Sequence, residues 1–211
     1  MLKIKIFPFN PFQVNTYVLY DETGECAIID ASCYEGSEEN QLKAFIDKNE
    51  LKPVLLLNTH CHIDHILGNN FVYRTWGLKP MIHKDSIPFL ENAVDYGQTF
   101  GFEVEKPVMP EDFISEDQII HFGNQQLKVL ETPGHAAGSV CFLHEKENFV
   151  IAGDVLFHNS IGRTDLPTGD FDMLLNSIRS KLMVLPDDTK VYCGHGPATT
   201  IGNERNENPF L

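Results

Sequence analysis

Three histidines and an aspartate lie within six consecutive positions of the segment NTHCHIDH, residues 58–65. They are His60, His62, Asp64 and His65, and both side-chain types bind transition metals. A lone histidine is more often a core or surface residue than a ligand, but four such groups so close together predict a metal site. Hydrolysis is the chemistry expected there, because a bound metal lowers the pKa of water and polarises a carbonyl group.

Three further segments share one pattern, a strand-like run that ends in glycine beside a histidine or an aspartate. LKVLETPGH leads to His135, NFVIAGD leads to Asp154, and KVYCGH leads to His195. One zinc ion needs only three protein ligands and a water, so seven groups suit two ions that share a bridging carboxylate. Mixed imidazole and carboxylate ligands favour zinc, with iron or manganese as alternatives. We therefore predict two divalent metal ions per chain.

The strand and helix patterns around these residues predict a layered α/β domain with mixed sheets, which must position them. Strand patterns occur in LKIKIF, NTYVLY, ECAIIDAS, KPMIH and KVYCGHG, and hairpin patterns in QIIHFGNQQLKVLET and SVCFLHEKENFVIAGD. PVLLLNTH is typical of a buried strand, so the histidine cluster lies where that strand ends, and we expect a helix to begin near His65. Helices are also predicted in GSEENQLKAFIDKNEL, with Ser37 as N-cap, and in DFDMLLNSIRSKLMVL. Because no linker divides the chain, we expect one domain over residues 1–211.

The charge and the cysteines indicate which partners and compartments to expect. Acidic residues outnumber basic ones 30 to 16, for a net charge of −14, so nucleic acid is not an expected partner. No apolar run could span a bilayer, and the N-terminus lacks a signal-peptide pattern. Five scattered cysteines without a C-x-x-C pair are typical of reduced thiols. We expect a soluble, cytoplasmic protein with a small-molecule substrate, and the oligomeric state stays open.

The motifs resemble those of the metallo-β-lactamase superfamily, and the resemblance extends along the whole chain. It rests on T-H-C-H-I-D-H at 59–65, G-H at 134–135, G-D at 153–154 and G-H-G at 194–196. The segments GDVLFHNSIGRTDLPTG and GHGPATTIGNERNENPFL are similar to short, single-domain relatives of hydroxyacylglutathione hydrolase (glyoxalase II). The resemblance implies a four-layer αββα sandwich with the metals at one edge. It implies the following ligand sets: His60, His62 and His135 on one metal, Asp64, His65 and His195 on the other, and Asp154 bridging.

The predicted activity is hydrolysis of an acyl-thiol conjugate such as S-lactoylglutathione by a metal-bound hydroxide. A thiolate leaves with little acid assistance, and the chain has no G-x-S-x-G motif. Asp64 is expected to orient the hydroxide and accept its proton. Asp30 could accept the other N–H of a ligand histidine or be an ordinary turn residue. Arg163 could bind an anionic substrate or brace its own loop.

The same residues also suggest other functions. An iron persulfide dioxygenase with one metal is the main rival, because NTHCHIDH and GRTD resemble those enzymes as well, whereas CGHGP favours the hydrolases. A fold without metals is disfavoured by seven intact ligand positions, and a β-lactamase by the absence of a signal peptide. The chain ends 16 residues beyond His195, so we do not expect the C-terminal extension with which full-length glyoxalase II binds glutathione, and the thiol carrier stays open.

Several residues with chemical potential are predicted to be structural. We expect His83, His121, His144 and His158 to be surface or loop residues. Cys61 is expected to be a buried thiol that points away from the ligands, and Cys193 a core residue. Arg205 is predicted to make a structural pair near the C-terminus.

Overall fold

The computed structural model describes all 211 residues and contains two six-stranded sheets. The first sheet has the spatial order β1 (Lys3–Phe9), β2 (Val14–Tyr20), β3 (Glu25–Ile29), β4 (Lys52–Leu57), β5 (Pro80–His83) and β6 (Phe113–Ile114). The second has the order β14 (Thr199–Thr200), β13 (Lys190–Cys193), β10 (Phe149–Gly153), β9 (Val140–His144), β8 (Gln125–Glu131) and β7 (Ile119–Phe122). A ribbon of β11 (Leu156–Phe157) and β12 (Ser160–Ile161) follows β10.

Both sheets are mixed, as predicted. In the first, β1, β2 and β3 pair antiparallel, whereas β3, β4, β5 and β6 pair parallel. In the second, β10 and β13 are parallel and the other pairs are antiparallel. Parallel neighbours end at the same edge of a sheet, so β3 and β4 deliver Asp30 and Thr59 to one edge, and β10 and β13 deliver Asp154 and His195 to one edge.

Seven α-helices accompany the sheets, with one 3₁₀ turn and one π-helical turn. They are α1 (Gly36–Lys48), α2 (Ile63–Ile66), α3 (Asn69–Trp76), the 3₁₀ turn Lys84–Ser86, α4 (Ile87–Glu91), α5 (Ala93–Thr99), α6 (Phe171–Ser177) with the π-helical turn Ile178–Leu182, and α7 (Ile201–Glu207). None of these helices has the length and apolar character needed to cross a membrane.

The core consists of three apolar layers, which makes the architecture αββα as predicted. The central layer lies between the two sheets and includes Tyr17 and Leu57 of the first sheet with Val129 and Phe142 of the second. One outer layer packs α1 and α3 on the first sheet, and the other packs α6, the π-helical turn and α7 on the second. Burial of both faces explains why the central strands have nearly continuous apolar sequences.

The helix expected to begin near His65 is present and begins at Ile63. It ends before Gly68, and α3 follows as a separate helix, because the Gly68 N–H donates to the Ala31 carbonyl (2.8 Å) instead of continuing the first helix. A Cβ on Gly68 would lie 2.9 Å from that oxygen. In α1 the N-cap is Glu35 rather than Ser37, because Glu35 and Glu38 form the reciprocal capping box.

The prediction of surface or loop positions was wrong for two of the four non-ligand histidines. His83 and His144 are buried in strands, where their Nε2 atoms lie 3.1 Å from Glu131 Oε1 and 3.2 Å from Gln125 Oε1. Partners on other strands satisfy these rings, which allows them to be buried. His121 and His158 are exposed as predicted.

The remaining structural predictions are confirmed. Cys61 and Cys193 are buried in apolar clusters. Arg205 binds the carbonyls of Met183 (2.7 Å) and Leu185 (3.1 Å) and pairs with Asp187.

Candidate metal centre

The structure brings all seven predicted ligands together at one edge of the sandwich. They come from four segments: the loop after β4 together with α2, the β8–β9 loop, the residue after β10 and the residues after β13. Three overlapping groups have ligand atoms that all lie within 4.8 Å of one another, and these groups are His60, His62 and His135; His60, His65 and Asp154; and Asp64, His65 and His195. The overlap through His60 and His65 makes this one continuous centre with room for more than one ion.

Asp154 lies between the two ends of this centre. Its Oδ1 is 3.3 Å from His65 Nε2, and its Oδ2 is 3.4 Å from His195 Nε2 and 3.7 Å from His135 Nε2. Asp64 Oδ2 is 3.4 Å from His195 Nε2. Two nitrogen ligands about 2.0–2.1 Å from one zinc ion in a tetrahedron are about 3.3 Å apart, so these separations match a metal site.

Two backbone carbonyls fix the tautomers of two histidines. His135 Nδ1 lies 2.8 Å from the Arg163 carbonyl oxygen, and His195 Nδ1 lies 2.8 Å from the Phe12 carbonyl oxygen. A carbonyl oxygen only accepts, so each Nδ1 must carry the hydrogen. When the ring is neutral, Nε2 is left with its lone pair directed into the centre.

Asp30 orients two more histidines of the centre through hydrogen bonds to their Nδ1 side. Its carboxylate is fully buried and accepts from the Thr59 N–H (2.7 Å), the Thr59 hydroxyl (2.7 Å) and His65 Nδ1 (3.1 Å). Because the Thr59 hydroxyl donates to Asp30, it can only accept from His60 Nδ1, 3.1 Å away. The contact expected between Asp30 and a ligand histidine is therefore present, and it reaches His60 through Thr59.

The residues of the centre fit a metal, because their inward atoms have no other partner. The Nε2 atoms of His60, His62, His65 and His135 and Oδ1 of Asp154 are buried without a hydrogen bond. Buried polar atoms are almost always paired, and leaving one unpaired costs about 1–3 kcal/mol. Five such atoms facing one another are explained by cations that bind between them.

The metal-free centre combines neutral imidazoles, at His60 and His62, with an ionised carboxylate at Asp154 and a protonated imidazole at His195. Burial lowers the pKa of His60 well below its usual value and that of His62 to about 3. Burial opposes ionisation of Asp154, but the neighbouring His65 and His195 hold its pKa well below the usual range. Burial likewise opposes protonation of His195, but Asp154 and Asp64 raise its pKa to about 9. The metal-free centre therefore retains protons that a divalent cation would displace.

Gly194 lets β13 end beside the Asp154 carboxylate. A Cβ at this position would lie 1.9 Å from Asp154 Oδ1, and the Gly194 N–H donates to the Gly153 carbonyl at 2.7 Å. The glycine that precedes His195 in the sequence is thus required by close approach to a ligand.

A cavity of about 450 Å³ opens directly onto the centre. Beside five of the predicted ligands it has an apolar wall, formed by Phe12, Ile63, Tyr96, Phe100, Phe157, Ile161 and Leu166. The sequence did not predict this wall or the role of Thr59. The wall residues lie in separate elements and share no periodic pattern, whereas Thr59 could have been noticed because it precedes His60 in the sequence.

Arg163 is one of the residues that line the cavity. Its Nε and one terminal nitrogen each lie 2.7 Å from an oxygen of Asp165, a two-point pairing between exposed side chains. The guanidinium thus braces its own loop, while its backbone carbonyl orients His135.

Comparison with known proteins agrees with this geometry. A model of the metallo-beta-lactamase superfamily matches residues 9–195. The probable metallo-hydrolase YqgX of Bacillus subtilis is 36% identical over 211 residues, which cover 100% of this chain and 98% of the relative. The hydroxyacylglutathione hydrolase GloC of Haemophilus influenzae is 36% identical over 216 residues, again covering 100% and 98%.

Solved structures show the same architecture. BLEG-1 B3 metallo-beta-lactamase superposes with a TM-score of 0.88 at 36% identity and 99% coverage of both chains. TTHA1623 in a di-iron-bound form gives 0.88 at 33% identity, covering 98% of this chain and 100% of that one. ETHE1 from Myxococcus xanthus gives 0.77 at 24% identity, covering 98% and 83%, and shares the fold. The αββα sandwich described above is therefore the metallo-β-lactamase fold.

Proposed function

Because this chain belongs to the metallo-β-lactamase superfamily of hydrolases, we propose that it is a dinuclear metal-dependent thioester hydrolase. The observation that carries the proposal is the position of Asp154, whose Oδ2 lies 3.7 Å from His135 Nε2 at one end of the seven-residue centre and 3.4 Å from His195 Nε2 at the other. The similarity to a hydroxyacylglutathione hydrolase over the whole chain supports a thioester such as S-lactoylglutathione as substrate.

We assign the ligands as two sets joined by Asp154. His60, His62 and His135 would hold one ion, and Asp64, His65 and His195 the other. We propose zinc, which suits imidazole with carboxylate, while the di-iron form of TTHA1623 makes iron the alternative to test. Two divalent ions supply activated water and polarisation of the substrate carbonyl.

The protein groups divide the remaining work. In thioester hydrolysis an oxygen of water bonds to the carbonyl carbon, the carbon–sulfur bond breaks, and the thiolate leaves with the electron pair. Burial opposes ionisation of Asp64, but His65 and His195 lower its pKa, so its carboxylate can orient the water and accept a proton. Asp30, Thr59 and the two backbone carbonyls hold the imidazoles in one tautomer.

The net charge of the chain and its cysteines support a proposal for the compartment and the substrate class. We propose a cytoplasmic enzyme with a small-molecule substrate, because all five cysteines are free and buried and the chain carries a net charge of −14.

Lactam hydrolysis is a second candidate, favoured by one observation. BLEG-1, named a B3 metallo-beta-lactamase, matches this chain over 99% of its length. A lactam and a thioester both present a carbonyl carbon to an activated water, so the centre suits either. The iron persulfide dioxygenase is disfavoured, because a single ion would leave one end of the seven-residue centre without a metal.

The test begins with metal-free protein reconstituted separately with zinc, iron or manganese, followed by elemental analysis. We expect two zinc ions per chain and hydrolysis of S-lactoylglutathione. Turnover of a chromogenic cephalosporin at a higher kcat/KM would favour the lactamase. One iron per chain with oxygen uptake on glutathione persulfide would overturn the hydrolase.

A further inference from the structure

We infer that the natural thioester carries an apolar, uncharged group beside its reacting carbonyl, because the cavity has an aromatic wall and the one Lys or Arg side chain in its lining already pairs with Asp165. The inference rests on the proposed function and narrows its substrate class. It favours an apolar thiol carrier over a peptide carrier with several carboxylates, such as glutathione.

The apolar wall offers contact area that the fold itself does not bury. Phe12 and Phe100 leave 44% and 37% of their surfaces exposed beside the centre. They are held edge to face, with ring centroids 6.2 Å apart, and Tyr96 packs on Phe100 at 5.2 Å. Large aromatic side chains fixed in this way around a concave site are typical of ligand-binding surfaces.

The charges around the cavity disfavour an anionic carrier. Arg163 is the one Lys or Arg among the residues that line it. Asp165 already occupies the Nε–Nη2 edge of that guanidinium. The charge of Arg163 is thus already offset by Asp165, and the lining has no second Lys or Arg for a further substrate carboxylate.

A second cavity, of about 510 Å³, continues the surface away from the centre. It shares Ile63 and Tyr96 with the first cavity, so these two side chains separate the two spaces. Its lining includes Asp85 and Asp95 but no Lys or Arg. An apolar substrate group that extends past Tyr96 has further space there, whereas an anionic substrate group would meet the carboxylates of Asp85 and Asp95.

The experiment uses three lactoyl thioesters that differ only in the thiol. The thiols are benzyl mercaptan, 4-(mercaptomethyl)benzoic acid and glutathione, so the first pair adds one carboxylate at nearly constant shape. With the zinc-loaded protein we expect kcat/KM to be at least about tenfold higher for the benzyl thioester than for S-lactoylglutathione, which corresponds to about 1.4 kcal/mol. We expect no gain from the added carboxylate.

Two variants test the two halves of the inference. Phe100→Ala should lower kcat/KM for the benzyl thioester by about tenfold and change that for S-lactoylglutathione less than twofold. The matched control is Phe113→Ala on β6, which is 48% exposed and outside both cavities. Asp165→Asn frees the Arg163 guanidinium and should raise kcat/KM for the carboxylated thioester by about tenfold, through a lower KM.

A binding measurement on metal-free protein keeps the inference independent of activity. 2-(Benzylthio)ethanol should shift NMR signals of the cavity residues at concentrations where S-(2-hydroxyethyl)glutathione does not. The inference is overturned if the glutathione compound binds more tightly, or if S-lactoylglutathione is the best substrate and Phe100→Ala affects all three thioesters equally. Absence of turnover on every thioester by the two-zinc protein would instead overturn the proposed function, while the binding preference would still decide the inference.

Discussion

Asp154 is the residue on which the whole centre depends. Its carboxylate faces His135 of one proposed ligand set and His65 and His195 of the other, within 3.3–3.7 Å. It is also the carboxylate that offsets the positive charge of those rings when they are protonated.

Asp154→Ala is therefore expected to lower bound zinc from two ions to one or fewer per chain, and kcat/KM by more than about a hundredfold. Elemental analysis and steady-state kinetics measure the two effects. His121→Ala is the control, since His121 is exposed on β7 and outside the centre. It suits this purpose better than His83, which is buried against Glu131. Equal losses in both variants would show that the centre is wrongly assigned.

Asp30 is not a proposed ligand and acts through the histidines that it orients, His65 directly and His60 through Thr59. Asp30→Asn replaces one carboxylate oxygen by an NH₂ group, so that either the Thr59 N–H loses its acceptor or His65 Nδ1 and the Thr59 hydroxyl lose theirs. Metal affinity should fall by about 10- to 100-fold, measured by competition with a chelator. Activity at saturating zinc should largely return. Activity that stays lost when two zinc ions are bound would mean that Asp30 has a role beyond ligand orientation.

At the scale of elements, the C-terminal helix α7 holds the β11–β12 ribbon against the cavity. Glu204 of α7 is fully buried and accepts from the Asn159 N–H (2.8 Å), Asn208 Nδ2 (2.8 Å), Asn203 Nδ2 (2.7 Å) and the Thr199 hydroxyl. Asn208 also donates to the Ser160 carbonyl, at 3.0 Å. The carboxylate thereby ties α7 to the ribbon that carries part of the apolar wall.

Glu204→Ala should lower the melting temperature by about 5–10 °C, because several buried donors lose their acceptor. It should also raise KM more than it lowers kcat, because Phe157 and Ile161 line the cavity but are not ligands. Glu204→Gln, which retains one acceptor oxygen, should recover part of both losses. The outcome that contradicts this account is a loss of bound zinc with KM unchanged.

At the scale of the whole molecule, Asp21 ties the two sheets together at a site remote from the metal centre. It follows β2 and accepts from the Asn124 N–H and Gln125 Nε2 of the β7–β8 hairpin, both at 2.8 Å. It also accepts from the N–H and hydroxyl of Thr23. Burial raises the pKa of Asp21, but these hydrogen bonds outweigh burial and lower it well below the usual value.

A lowered folded-state pKa means that this stabilisation is present above the unfolded pKa, about 3.9, and is lost as the pH falls through the folded pKa. Asp21→Asn should therefore cost about 2 kcal/mol of unfolding free energy at pH 7. The difference from the wild type should shrink below about pH 4. Urea denaturation of the metal-free proteins at several pH values measures it, with exposed Asp188→Asn as control. A difference that does not depend on pH would contradict the role of the ionised carboxylate.

The proposed ligands could be predicted from the sequence because most lie at or shortly after a strand end, and Asp64 and His65 lie in α2, the short helix that follows β4. Strand ends are local features, marked by apolar runs and by glycines such as Gly153 and Gly194. Parallel pairing of β3 with β4 and of β10 with β13 then brings these ends to the same edge. The residue types and their positions along the chain thus determined the fold family and the seven-residue centre.

Only the tertiary structure decided which distant residues meet. The break at Gly68 depends on the Ala31 carbonyl, the burial of His83 and His144 on Glu131 and Gln125, and the apolar wall on Phe12 meeting Phe100. Such contacts join residues far apart in sequence, and nothing local distinguishes an aromatic ring that lines a cavity from one that faces solvent. Even the pairing of Arg163 with Asp165, two residues apart, depended on a loop conformation that sequence spacing leaves open, because a flexible side chain pairs with whichever partner the folded backbone brings within reach.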